Sequence, residues 1–359
     1  MTKAQGAAEA FIASVGVAAP PYGLSQQEGL EFLGRYFGHG LSPRSHAVLR
    51  KIFAHPSIVR RKFALERPEN LVAENPDQRV ERFTEWAVRL AAQATRMALA
   101  EAEKDLTAVS GVVVNTCTGF LCPGLATYLM EELGLGPATR VYDLAGGSGC
   151  SGAIPNLELA AAIARRLPED KVVLSVAVEI CSGVFQMGDD PSLLISNAIF
   201  ADGAAAAVIG RRPQGFRIRD TGHRHLPEHR EALRYVYRNG QLHNRIAPKL
   251  PSLAAEAAAS VVSDLLAAHE LQEQDIAGWA FHPGGHKIIE AVKEKLGLDE
   301  GQVAAARTVL AQYGNMSSPT VWFVFRELTK GGLAPGNRCL LVTFGAGLSA
   351  HAALLEKIS

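Results

Sequence analysis

The stretch Phe11-Ile12-Ala13-Ser14-Val15-Gly16-Val17-Ala18 is almost wholly apolar and is closed by Pro20-Pro21, a pattern that predicts a buried opening strand. Residues 25–53 carry helical spacing, and 78–104 repeat apolar positions near every 3.6 residues, as a long amphipathic helix does. The runs GVVVN (111–115) and KVVLSVAVE (171–179) predict strands buried on both faces, with a helix over 155–166 between them. Asp202-Gly203 then leads into an alanine-rich strand, 204–210. This order recurs. IAGWAFH (276–282) matches GVVVN, helices are expected over 286–296 and 317–329, RCLLVTF (338–344) matches KVVLSVAVE, and SAHAALL (349–355) matches AAAAVIG. Apolar strands alternating with helices imply a parallel or mixed sheet covered on both faces. The duplication predicts an α/β protein of two halves, 1–215 and 216–359, in a five-layer α/β/α/β/α arrangement with its site where the halves meet.

Composition narrows the class. The chain has 359 residues, 48% of them hydrophobic, enough for a large core. The 36 basic residues balance 36 acidic ones, so no basic field argues for nucleic acid. The polar start, 1–6, lacks the apolar region of a signal peptide, and no apolar run is expected to span a membrane. Five cysteines (117, 122, 150, 181 and 339) form neither a paired C-x-x-C nor an even set. Neither a disulfide framework nor a metal site is suggested, and a reducing cytoplasm is expected.

Candidate chemistry centres on Cys150, flanked by glycines and serines in Ser148-Gly149-Cys150-Ser151-Gly152 and followed by a run of helix formers. A thiol at the positive end of a helix dipole, beside an imidazole, is favoured as the nucleophilic thiolate. The competing reading is a small residue packed where a helix meets a sheet. Tyr313-Gly314-Asn315-Met316 holds the matching strand-turn-helix place in the second half, although an Asn before a helix is also a cap. His282, in Phe281-His282-Pro283-Gly284-Gly285, ends that half's first strand, where strand C-termini face a ligand. Three such residues at equivalent strand ends are hard to assign to packing. The basic cluster Arg50, Lys51, Arg60, Arg61 and Lys62 reads either as a solvated face or as a site for an anionic ligand.

At these residues the chain resembles the thiolase-fold condensing enzymes, and among them the type III polyketide synthases, the chalcone and stilbene synthase family. The resemblance runs from about Ala10 to the C-terminus. It is carried by Thr116-Cys117-Thr118-Gly119 with Pro123-Gly124, Gly149-Cys150, the stretch Ala198-Ile199-Phe200-Ala201-Asp202-Gly203-Ala204, His282-Pro283-Gly284-Gly285, and Tyr313-Gly314-Asn315-Met316-Ser317-Ser318. The last two motifs are the specific ones.

The resemblance implies an acyltransferase in which Cys150 carries the starter acyl group as a thioester. His282 would hold the thiolate as an ion pair, and with Asn315 would stabilise the enolate left when malonyl-CoA loses carbon dioxide. Phe200 would gate the chamber, with Cys117, Val184, Ser317, Phe344 and Gly345 lining it. Lys51, Arg60 and Arg61 would meet the coenzyme A phosphates, although Val48 and His55 replace lysines common in the family. Ala201 and Ala346 replace a usual glycine and proline, and 239–251 is shorter than in plant members. Cys122 stands at a loop that crosses the dimer interface in the family, which implies a homodimer. Coenzyme A thioesters enter as substrates, with no cofactor. An apolar wall at Val184 favours a fatty acyl starter, giving an alkylpyrone or alkylresorcinol; malonyl-CoA as its own starter is the close competitor. Two other functions stay open: a single condensation on a carrier protein, as in ketoacyl synthases of the III type, and a non-catalytic partner of the same fold.

Overall fold

A computed structural model describes residues 8–358. Nine strands form a mixed sheet that divides into two related parts. In the first, Arg140–Ala145, Val109–Thr116 and Val172–Ile180 run parallel, and Asp202–Gly210 and then Phe11–Ala18 follow antiparallel. In the second, Ile276–Phe281 and Arg338–Gly345 are parallel, and Ser349–Lys357 and Phe216–His225 continue antiparallel. Among the described residues the strand pairs Phe11↔Arg217 and Ile12↔Phe216 join the parts, with the Ile218 N–H donating to the Ala10 carbonyl beside them. The internal repeat expected from the apolar runs is therefore present strand for strand, with one exception. The first half's edge strand, Arg140–Ala145, has no counterpart, because the chain before Asn315 is the helix Glu300–Tyr313.

Helices Ala153–Ala164 and Thr320–Lys330 each contact strands of both halves and form the middle layer. Pro76–Glu101 and Leu125–Leu133 cover the outer face of the first half, and Leu250–Ala268 and His286–Lys295 that of the second. This is the five-layer α/β arrangement. The long helix begins at Pro76, where the Asn75 side chain and Gln78 close a reciprocal capping box. The expected helix over 25–53 is two, Gln26–Phe37 and Pro43–Phe53, separated at Gly38–Gly40. Leu250–Ala268 was not expected; it is apolar on most sides and long enough to cross a membrane by length and composition, but half of it is buried against the second half's strands.

Candidate active site

Cys150 lies in the turn Gly149–Ser151, three residues before the helix Ala153–Ala164, and is 7% exposed. Gly149 adopts φ +54°, and a side chain there would meet the Ala346 Cβ at 3.0 Å, so glycine suits both conformation and space. The second half presses directly on this turn. A Cβ on Gly345 would stand 2.1 Å from the Ser148 carbonyl oxygen, and the Ser151 and Ser349 hydroxyls are 2.9 Å apart.

His282 follows the strand Ile276–Phe281, and its N–H extends the parallel ladder to the Val342 carbonyl at 2.9 Å. Its ring meets Phe344 edge-on at 5.4 Å between centroids. Asn315 is held by backbone on both sides, donating to the Ile199 carbonyl and accepting from the Ala201 N–H, each at 2.8 Å. Its Oδ1 accepts from the Ser317 N–H at 2.8 Å, and Nδ2 donates to the Gly284 carbonyl at 3.1 Å. An amide carries two N–H donors, so one remains beyond the Gly284 bond. The place of Asn315 differs from the strand-turn-helix expectation: it follows a helix, and it makes an isolated parallel bridge to Phe200 of the first half.

Electrostatics oppose separate charges here. Burial pushes the Cys150 thiol up to about 12, with the neighbouring Ser317 hydroxyl acting against it. Burial alone brings His282 down to about 3. Each group taken singly is thus neutral at pH 7. His282 is 1% exposed and its Nδ1 has no partner, so no carboxylate offsets that desolvation.

A cavity of about 370 Å³ opens on Cys150, with Cys117, Phe200 and Ser317 among its lining residues. Three expected lining residues do not reach it. Val184 sits in the turn Cys181–Val184 off the cavity, Phe344 packs under the His282 ring, and Gly345 is covered by Ser148 and Ser151; Ala346 is the residue of that loop that lines the space. Arg61 is a further correction. It is 4% exposed, donates to the Phe200 carbonyl at 2.8 Å and to Gln26 Oε1 at 2.9 Å, and burial lowers it to about 9. A guanidinium engaged this way is not free for phosphate. Lys51 and Arg60 are exposed.

Two features escaped the sequence reading. The hairpin Leu233–Arg238 and Gln241–Ile246 supplies Leu233, Arg234, Tyr235, Leu242 and Asn244 to the cavity wall. Its signal was Asn239-Gly240, both at positive φ in the turn, the dipeptide that favours a tight two-residue hairpin. The other is Glu179, fully buried at the end of Val172–Ile180. One of its oxygens accepts from the N–H groups of Cys117 (2.9 Å) and Thr118 (3.1 Å) and from the Thr118 hydroxyl (2.8 Å); the other accepts from the Ser318 hydroxyl at 2.8 Å. Burial raises its pKa and these donors oppose the rise. The carboxylate thus ties the Cys117 loop of one half to the Asn315 turn of the other.

Residues 1–213 match the N-terminal domain of chalcone and stilbene synthases and residues 218–359 the C-terminal domain. The chain belongs to the chalcone and stilbene synthase family. It is a type III polyketide synthase, an acyltransferase by class. It is 29% identical to 3,5-dihydroxyphenylacetyl-CoA synthase of Streptomyces toyocaensis, over 96% of this chain and 89% of that protein. It is 31% identical to the alpha-pyrone synthesis polyketide synthase-like Pks18 of Mycobacterium tuberculosis, over 70% of this chain and 65% of that protein. Among solved structures, PKS-I of the brown alga Ectocarpus siliculosus superposes with a TM-score of 0.90 at 28% identity, covering 99% of this chain and all of that one.

Proposed function

We propose that this synthase condenses malonyl-CoA repeatedly onto an acyl group held on Cys150 and releases a cyclised pyrone or aromatic product. The Cys150 sulfur attacks the starter thioester, and coenzyme A leaves as its thiolate. Malonyl-CoA then loses carbon dioxide, and the negative charge left on its thioester oxygen is met by His282 and the free Asn315 N–H. The enolate carbon attacks the Cys150 acyl carbonyl, the Cys150 thiolate departs, and a ketoacyl-CoA longer by two carbons results. Each donor of this kind typically lowers the barrier by roughly 3–4 kcal/mol. No cofactor beyond the thioester substrates enters this chemistry. Desolvation disfavours either charge alone, so the thiolate arises by proton transfer to His282, creating both charges together.

The observation that carries the reading is the convergence of both halves on one cavity. The nucleophile turn comes from the first half and the Asn315–Ser317 turn from the second, and Cys150 and Ser317 line the same cavity. At about 370 Å³ the cavity is at the small end for small-molecule sites, which favours a short acyl or malonyl starter. Val184 lies off the cavity, so the apolar wall inferred from it does not support a long chain. A fatty acyl starter keeps one observation in its favour: Phe200 also lines a second, smaller cavity with Phe32, Leu33, Leu65 and Phe185, apolar space that turning its ring would join to the first.

A homodimer is part of the proposal. Arg140–Ala145 pairs on one side only, and Tyr142, Leu144 and the neighbouring Phe120 are exposed, at 41%, 37% and 76%. An open apolar edge of this kind is normally covered, and a two-fold copy covers it without leaving another. Cys122, two residues after Phe120, is also exposed. The five unpaired thiols suit a reducing cytoplasm.

The test is a product assay by mass spectrometry with labelled malonyl-CoA, alone and with acetyl-, hexanoyl-, lauroyl- and benzoyl-CoA, using wild type and Cys150→Ala in parallel. Cyclised pyrones or aromatics from wild type alone support the proposal. A single-condensation ketoacyl thioester would transfer the reading to carrier-dependent synthesis, and no turnover with any primer would transfer it to a non-catalytic role.

A further inference from the structure

We propose that His223, His225 and His351 form a binding site for a divalent transition metal of the zinc class. The antiparallel strands Phe216–His225 and Ser349–Lys357 place His351 directly opposite His223, and His225 lies two residues along. Alternate residues of a strand and their direct cross-strand partners share a face, so three imidazoles project to one side. The other side is occupied differently: Arg224 pairs with Asp264 of the outer helix, and Gly222 faces Val261 of the same helix.

Ring spacing approaches that of shared ligation but is slightly wider than three rings on one metal allow. The centroids are 5.3 Å apart for His225 and His351, 5.8 Å for His223 and His225, and 6.3 Å for His223 and His351. With zinc–nitrogen bonds near 2.0–2.1 Å, ring centroids sit about 3.2 Å from the metal, so two ligating rings stand about 5.3 Å apart at the tetrahedral angle and at most about 6.5 Å apart. His351 adds an independent observation. It is 5% exposed, and its Nε2 is buried without a hydrogen-bond partner, a state that costs free energy unless something meets the nitrogen. The side chains of His223 and His225 are exposed.

Among the described residues no three ligating atoms already converge on one point, so the site closes by rotation of the two exposed rings toward the fixed His351. Three imidazoles leave a fourth tetrahedral position for water. The metal would clip together two strands whose junction lies near the nucleophile, since Ser349 at the start of one bonds Ser151 beside Cys150.

The test uses tag-free, chelator-treated protein with its accessible thiols blocked by iodoacetamide. Zn²⁺ binding is followed by calorimetry, Co²⁺ binding by visible absorption, and melting temperature against Zn²⁺ concentration. One equivalent of metal should bind and raise the melting temperature in a concentration-dependent way. His223→Gln/His225→Gln, which alters only exposed side chains and should fold, is expected to lose at least tenfold in affinity; His351→Asn should lose at least as much. No binding to wild type overturns the proposal, and so does unchanged affinity in the double variant, which would place the metal on other residues.

Discussion

Ser318 donates its hydroxyl to Glu179 at 2.8 Å and accepts from the Asn115 amide at 2.7 Å, so a side chain of the second half is held inside a polar network of the first. Glu179 also satisfies the N–H groups of Cys117 and Thr118. Glu179→Leu leaves those donors buried and unpaired, each at roughly 1–3 kcal/mol. We expect a lower melting temperature and activity loss beyond it. Denaturant unfolding of Glu179→Leu against Glu179→Gln, which retains one acceptor oxygen and should lose less, checks this.

Cys150 and His282 are each held neutral by burial when alone. In His282→Gln the thiol has no proton acceptor and follows its burial toward about 12. Iodoacetamide inactivation of the variant should be slow at pH 7 and climb through the highest pH tested. Wild type should react at neutral pH with a plateau. Equal profiles for the two proteins would remove His282 from the ion pair.

The same histidine sets a pH dependence of stability. Its folded pKa, about 3, lies below the ordinary 6.5, so between these values the unfolded chain binds the extra proton. In Cys150→Ala, where no thiol can hand His282 a proton, the stability tied to neutral His282 is complete above pH 6.5 and is lost as pH falls through the window toward 3. Thermal melts of that variant from pH 7 to 4 should decline, and with His282→Gln added they should decline less steeply.

Gly345→Ala would drive a Cβ into the Ser148 carbonyl and the Ser151 N–H, backbone atoms that cannot yield as a flexible side chain does. We expect a loss of about 3 kcal/mol or more, of the order seen for overpacked sites, and near-complete loss of activity because the displaced turn carries Cys150. Circular dichroism melts and malonyl-CoA turnover measure the two effects.

Phe200→Ala should join the two cavities that Phe200 lines, and the ratio of lauroyl- to acetyl-primed product should rise severalfold. An unchanged ratio would mean that Phe200 does not divide the space.

Arg61 and Lys51 should part company. Arg61→Met removes charged hydrogen bonds to Phe200 and Gln26, at about 2–4 kcal/mol in stability, with the salt dependence of the malonyl-CoA KM unchanged. Lys51→Glu together with Arg60→Glu should raise that KM and leave the melting temperature near wild type, because both side chains are exposed.

Apolar strands buried on both faces, their recurrence in one order, and the glycine-flanked cysteine followed by helix formers were legible in the chain itself, because burial on two faces leaves no polar alternation and a tight turn into a helix demands small residues. Those features specify the two halves and single out Cys150, His282 and Asn315. Only the tertiary structure decided which way side chains face. In the short strand Arg60–Lys62 the two-residue period turns Arg61 inward between two outward neighbours, so three adjacent cations have different fates. Val184 leaves the cavity wall while the hairpin from 233 to 246 enters it. The Glu179 network joins residues far apart in the chain, and His351 meets His223 only through strand register. Sequence spacing carries no record of such encounters, because they are set by how the halves pack and not by any local period.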